Sequence, residues 1–251
     1  TKVGLKFAEE LPNNPYIPKP KKNTKDLTKT KTHGDSRLIF EDDRWFICVP
    51  TKVKNENTQA ENQGRVVALD PGIRTFMTFY SEAYCGKIAS KAFSRIQRLS
   101  QHLDKLISLK TLSAKKASKQ KAITRAFTKI RDLIDELHNK TALFLVKNFD
   151  VILLPTFETS QMVKKSEKRK LQAESVRNML TFAFYRFSQK LKNKAKEYGK
   201  VVINVCEAYT SKTASWTGEM KKVGGAKTIF SAGLKVDRDV NGARGIFLRA
   251  L

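Results

Sequence analysis

Histidine and cysteine are both scarce, three of each in 251 residues. The cysteines stand alone at Cys48, Cys85 and Cys206, with no C-x-x-C pair and no even framework. This excludes a disulfide scaffold, points to a reducing compartment and assigns the three thiols to the core. No run approaches the roughly 20 apolar residues of a membrane span, so no membrane partner is expected. The N-terminus Thr1-Lys2-Val3 shows neither an initiator Met nor a secretory h-region. The expectation is a chain that begins inside a longer protein and is not secreted. Acid is the scarcer charge: Asp and Glu total 24 against 49 Lys and Arg, a formal net charge of +25. That excess exceeds what solubility needs and implies a polyanionic partner. With 40% hydrophobic residues the chain can bury a core in one or two domains, which excludes a disordered tail.

Three of the few acids stand in informative places. Asp70 closes Val66-Val67-Ala68-Leu69-Asp70-Pro71-Gly72, and Glu158 follows Ile152-Leu153-Leu154-Pro155-Thr156-Phe157. Both lie just beyond short β-branched and apolar runs that read as buried strands of one sheet. Asp239, in Asp237-Arg238-Asp239-Val240-Asn241-Gly242-Ala243-Arg244, opens a helical pattern. Carboxylates gathered from two strand ends and a helix start can hold two Mg²⁺ ions ~4 Å apart, the arrangement that stabilises the attacking and leaving oxygens of a phosphodiester. A structural basic protein would account for the charge, but not for acids at strand ends amid so much positive charge.

Residues 1–35 combine four prolines with a lysine-rich stretch and read either as backbone extended along phosphates or as a solvated linker. Arg37–Phe40 and Trp45–Val49 flank an acidic turn and read as a β-hairpin ending a small β module. A strand at 65–70 then leads through Pro71-Gly72 into a second at 75–80. Ile96, Leu99, Leu103 and Leu106, then Ile123, Phe127, Ile130, Ile134 and Leu137, mark two helices of a hairpin at about 90–148 with a lysine-rich tip. After the strand 151–154, a basic run of Lys164, Lys165, Lys168, Arg169 and Lys170 precedes one long amphipathic helix carrying Val176, Leu180, Ala183, Phe187, Leu191 and Tyr198. Gly199 ends that helix. A strand at 201–205, a glycine-containing loop and a last helix at about 239–250 follow.

The Ala68–Thr75, Leu154–Ser160 and Asp237–Arg244 blocks, in this order and with the helical hairpin between the first two, resemble the RuvC motifs of the TnpB and Fanzor transposon-encoded RNA-guided nucleases, kin to the compact type V CRISPR effectors. The likeness runs from about Arg37 to Leu251 and is greatest to the Fanzor branch. It implies an α/β fold: an RNase H-like (RuvC) mixed sheet flanked by helices, with the basic hairpin inserted, over residues 65–251. Residues 1–64 would be part of a small β module and a basic linker. It also implies Asp70, Glu158 and Asp239 as catalytic ligands of two Mg²⁺ ions, guide RNA and target DNA as partners, and the basic run 164–170 as a backbone contact. Asp237 is expected to act as an N-cap or as a partner of Arg238.

Two departures accompany the resemblance. Family members carry a zinc ribbon after Thr-Ser-Lys-Thr. Here Thr210-Ser211-Lys212-Thr213 is present, but Ala214 and Thr217 occupy the first cysteine pair, and Ser231-Ala232-Gly233 stands where the second is expected. No zinc is expected at this degenerate ribbon, and the 210–235 segment is expected to be soft. The second departure is a largely missing recognition lobe. The leading reading is therefore an RNA-guided, Mg-dependent DNA endonuclease, with Trp216 and Tyr209 either stacking a base or serving the core. Its rivals are a nuclease-derived binding regulator without cleavage and a guide-independent resolvase. The expected location is the nucleus for a eukaryotic or viral protein and the cytoplasm for a prokaryotic one.

Overall fold

The computed structural model describes residues 34–41, 44–50, 64–90, 92–112, 116–157, 173–221 and 226–251. The chain divides into two units, Thr1–Lys54 and Asn55–Leu251. In the first, β1 (Arg37–Glu41) and β2 (Arg44–Cys48) pair antiparallel as expected, with Phe40 and Trp45 opposite each other and their rings 4.8 Å apart.

The second unit is built on a five-stranded mixed sheet of β3 (Val66–Pro71), β4 (Met77–Tyr80), β5 (Cys85–Ile88), β6 (Val151–Pro155) and β7 (Val201–Val205), in the order β5-β4-β3-β6-β7. The β3–β4 and β4–β5 pairs are antiparallel, and β3–β6 and β6–β7 are parallel. This is the mixed α/β sheet flanked by helices that the sequence led us to expect. The turn into β4 starts at Gly72, where a β-carbon would come within 2.7 Å of the Thr75 carbonyl oxygen, so only glycine passes there.

Between β5 and β6 run α1 (Ala92–Leu112) and α2 (Lys116–Asn148), packed against each other as the expected hairpin. Its exposed basic side chains include Arg95, Arg98, Lys105, Lys121, Arg125 and Lys129. Phe127, assigned to the apolar stripe from its spacing, is exposed instead. Strand alternation divides the core in two. Val67, Leu69, Ile152 and Leu154 face one side with Leu145, Phe149 and Leu191, whereas Ala68 and Leu153 face the other with Ile246 and Phe247.

The single long helix expected before Gly199 is two helices, α3 (Ala173–Phe182) and α4 (Phe184–Glu197), broken at Ala183, whose φ of 47° is left-handed. Packing accounts for the break: Phe182, Phe184 and Phe187 all converge on Phe76, with ring centroids 5.4, 5.4 and 5.1 Å from it, which no straight helix offers at that spacing. Leu180, read as part of the same stripe, is exposed. The three cysteines are also exposed, contrary to the core assignment: Cys48 and Cys85 lie on short strands and Cys206 just beyond β7, where the chain leaves the packed layers.

At the amino-terminal edge of the parallel strands Asp150 is buried. It accepts from Lys200 Nζ at 2.6 Å and from the Arg65 backbone N–H at 3.0 Å. Burial pushes its carboxyl up, but these hydrogen bonds and the two positive charges outweigh burial and hold it below the usual carboxylate range. The segment after β7 folds back through a second hairpin, β8 (Thr228–Ser231) and β9 (Leu234–Asp237), into α5 (Arg238–Ala250), which covers β3, β4 and β6.

Candidate active site

Asp70 lies on the α5 side of β3, on the same face as Ala68. Its carboxylate rests against Gly242, the position in α5 where a β-carbon would overlap Oδ2. Burial, then the charges of Asp239 and Glu207, push its pKa up to about 8, with Arg238 pulling the other way. The charge of Asp239 therefore acts on Asp70. Glu158 and the basic run Lys164, Lys165, Lys168, Arg169 and Lys170 lie outside the described residues.

Glu207, outside the three family blocks and two residues beyond β7, also acts on Asp70, and burial raises its own pKa. It stands just beyond an apolar strand, the same signal that marks Asp70 and Glu158. Asp237 caps α5: its Oδ1 accepts from the Asp239 and Val240 backbone N–H groups at 3.0 and 3.3 Å. This is the N-cap role expected of it. Lys87 pairs with it, with Nζ 2.7 Å from Asp237 Oδ2 and 3.4 Å from Asp239 Oδ2.

The Thr210–Thr213 loop is tied to α5 by residues of the last block. Asn241 is fully buried; its Nδ2 donates to the Thr213 carbonyl at 2.8 Å and its Oδ1 accepts from Ser215 N–H at 2.8 Å. Arg244 donates to the Ser215 carbonyl at 2.6 Å. Asn241 and Arg244 therefore fix the orientation of the helix that carries Asp239.

The ribbon segment is hydrogen-bonded and partly buried where it is described. Ala214 is fully buried, and Ser231 Oγ donates to Glu219 Oε2 at 2.7 Å and lies 3.0 Å from Thr217 Oγ1. Trp216 Nε1 donates to the Ser231 carbonyl at 3.0 Å, which commits this aromatic to the fold, whereas Tyr209 is exposed. Polar groups thus hold together across β8 and the Thr213–Met220 bridge what thiolates would otherwise converge on. An alanine and two hydroxyls do not fit tetrahedral zinc.

The acid cluster is different, because its donors are all carboxylate oxygens, the set that Mg²⁺ selects. The raised Asp70 pKa reports burial first and the charges of Asp239 and Glu207 second. Among the described residues, no three His, Cys, Asp or Glu side chains form a group able to hold one ion. A cavity of about 530 Å³, lined by Pro71, Leu154, Phe157, Tyr185, Lys192 and Asn204, lies on the α4 side of the sheet and is separate from these acids.

Residues 184–246, from α4 into α5, match the Cas12f1-like TNB domain family. A TnpB-like protein of Acanthamoeba polyphaga mimivirus is 28% identical over 214 residues, which is 81% of this chain and 40% of the relative. A transposase-like protein of the same virus is 27% identical over 242 residues, 92% of this chain and 48% of the relative. The chain is similar to these TnpB-like and transposase-like proteins along most of its length. It spans less than half the length of these relatives. The fold also matches Cas12f1 solved in complex with sgRNA and target DNA, with a TM-score of 0.54 at 15% identity over 85% of this chain and 56% of that one. Among the described residues no helix is long and apolar enough to cross a membrane.

Proposed function

We propose that this chain is the nuclease portion of a TnpB-family RNA-guided DNA endonuclease. The observation that supports this reading is the close approach of Asp70 to Gly242, three residues along α5 from Asp239, in a fold shared with Cas12f1. Asp70 and Asp239 would ligate two Mg²⁺ ions together with Glu158, and Glu207 adds a further carboxylate from the end of β7. Bound Mg²⁺ supplies a lowered pKa for an attacking water and neutralises charge on the phosphodiester.

The chain's own residues set the conditions for that chemistry. Gly242 lets Asp70 approach α5, the Asp237 cap fixes the first turn of that helix, and Asn241 and Arg244 brace it from the far side. The exposed basic side chains of α1 and α2, with Lys164, Lys165, Lys168, Arg169 and Lys170, would hold a guide–target duplex through its phosphates and leave sequence to base pairing. Guide RNA and target DNA are the partners of this reading. Its location is the nucleus for a eukaryotic or viral protein and the cytoplasm for a prokaryotic one.

A nuclease-derived binding regulator is the second reading. It is favoured by the engagement of Asp239 with Lys87 and by the lack of a three-ligand group among the described residues. Cleavage of guide-matched DNA by the purified ribonucleoprotein with Mg²⁺ separates the two. Asp70→Ala should abolish cutting and leave binding nearly unchanged, because affinity comes from neutralised phosphates. Binding without Mg-dependent cutting by the parent protein supports the regulator. Cutting of branched DNA without RNA supports a resolvase.

A further inference from the structure

We propose that the Lys87 ammonium is the built-in counter-ion of the acid cluster, holding Asp239 until a divalent cation takes that carboxylate from it. This rests on the metal-dependent reading above. Sheet register puts Lys87 in place: Asp70 is opposite Thr78 on β4, and Thr78 is opposite Lys87 on β5. Residues opposite one another across a sheet share a face, so Asp70 and Lys87 stand on the face that α5 covers, two strands apart. The first turn of α5 then brings its two acids to the lysine, with Nζ 2.7 Å from Asp237 and 3.4 Å from Asp239.

The two contacts differ in what they can release. Asp237 is committed to the helix, since its other oxygen accepts from the backbone of Asp239 and Val240. Asp239 has no such duty, and its longer contact with Lys87 is the one open to exchange. The Lys87 ammonium offsets the negative charge of Asp237 and Asp239 where α5 meets β5. A lysine suits the part because its ammonium is a compact charge on a flexible stem that can swing away while the strand stays paired. A divalent ion carries twice the charge and binds the carboxylate oxygen directly.

The test uses the full chain, titrated with Mn²⁺ and Mg²⁺ by calorimetry, and follows reductive methylation of Lys87 by mass spectrometry with and without metal. Lys87→Met should bind Mn²⁺ about two- to fivefold more tightly than the parent, the factor that matches the worth of a partly exposed ion pair. Lys87→Arg should stay close to the parent. Methylation of Lys87 should accelerate when Mn²⁺ is added to the parent and not when it is added to Asp70→Asn. Metal binding by the parent with unchanged Lys87 reactivity and no gain in Lys87→Met overturns the counter-ion role and leaves the metal-dependent reading standing. Failure of both parent and Lys87→Met to bind either ion overturns that reading and this inference with it. Should Lys87→Met not fold, the methylation rates of the parent decide alone.

Discussion

Gly242 on α5 stands so close to Asp70 on β3 that a β-carbon would overlap the carboxylate. The end of the Asp70 side chain fills the space that a β-carbon would take. Gly242→Ala should therefore act on Asp70 rather than on the fold, since alanine is the better helix former by about 1 kcal/mol. We expect a melting temperature near that of the parent and divalent-ion affinity reduced about tenfold or more, the range for displacing a group that orients a ligand. Calorimetric titration with Mn²⁺ checks the second number. Unchanged affinity would mean that Asp70 is no ligand.

The raised pKa of Asp70 gives a pH dependence with a definite sign. The folded carboxyl titrates at about 8 and the unfolded one near 3.8, so between those values the folded state holds a proton that the unfolded state has lost. Without divalent ions, the contribution of Asp70 to stability is present at low pH and is lost as the pH rises through that window. Melting curves in chelator at about pH 5 and about pH 8.5 should show a larger fall for the parent than for Asp70→Asn. An equal fall in the two proteins would show that the group is not displaced.

At the other end of the sheet, Asp150 and Lys200 form a buried pair with side chains 8% and 10% exposed. Removing one partner strands the other charge, so Asp150→Ala should cost about 3 kcal/mol or more of stability. Denaturant unfolding measures it. A loss below about 1 kcal/mol would place the pair with ordinary surface bridges.

Ser231 is 1% exposed and joins Thr217 to Glu219. Ser231→Ala should lower stability by about 1–2 kcal/mol, through the buried groups it leaves unpaired. A zinc-selective chelator should leave the melting temperature of the parent unchanged, and metal analysis should find no stoichiometric zinc. A chelator-sensitive ribbon, or one indifferent to Ser231→Ala, would show that something other than these hydrogen bonds holds it.

The elements and the Asp237 cap were legible in the sequence because each depends on neighbours a few residues away. The strand runs, the paired 3- and 4-residue spacings of α1 and α2, and an acid before a helical pattern are local signals. Glu207 was equally legible by the rule applied to Asp70, yet it lies outside the three family blocks and was passed over. Lys87 could not be read, since its place depends on the register of two strand pairs that only the folded sheet fixes. The break at Ala183 escaped for a similar reason: three phenylalanines gather on Phe76 from another element, and tertiary packing overrides helical periodicity. Loss of the ribbon thiols was legible. Their replacement by a hydroxyl pair and Glu219 was not, because it needs partners brought together by β8.

The parallel pairing of β3 with β6 sets a kinetic problem as well as a geometry. Val66 stands opposite Val151, so the centre of the sheet closes only after two helices of 21 and 33 residues have been looped out between them. Such a non-local contact must overcome loop-closure entropy before it contributes anything, and chains that depend on such contacts fold slowly. The α1–α2 hairpin, formed from local contacts on a much faster timescale, shortens the effective loop by bringing its own ends together. The basic arms thus also act as a folding scaffold, and the acid cluster, drawn from β3, β7 and α5, is among the last features that this chain can assemble.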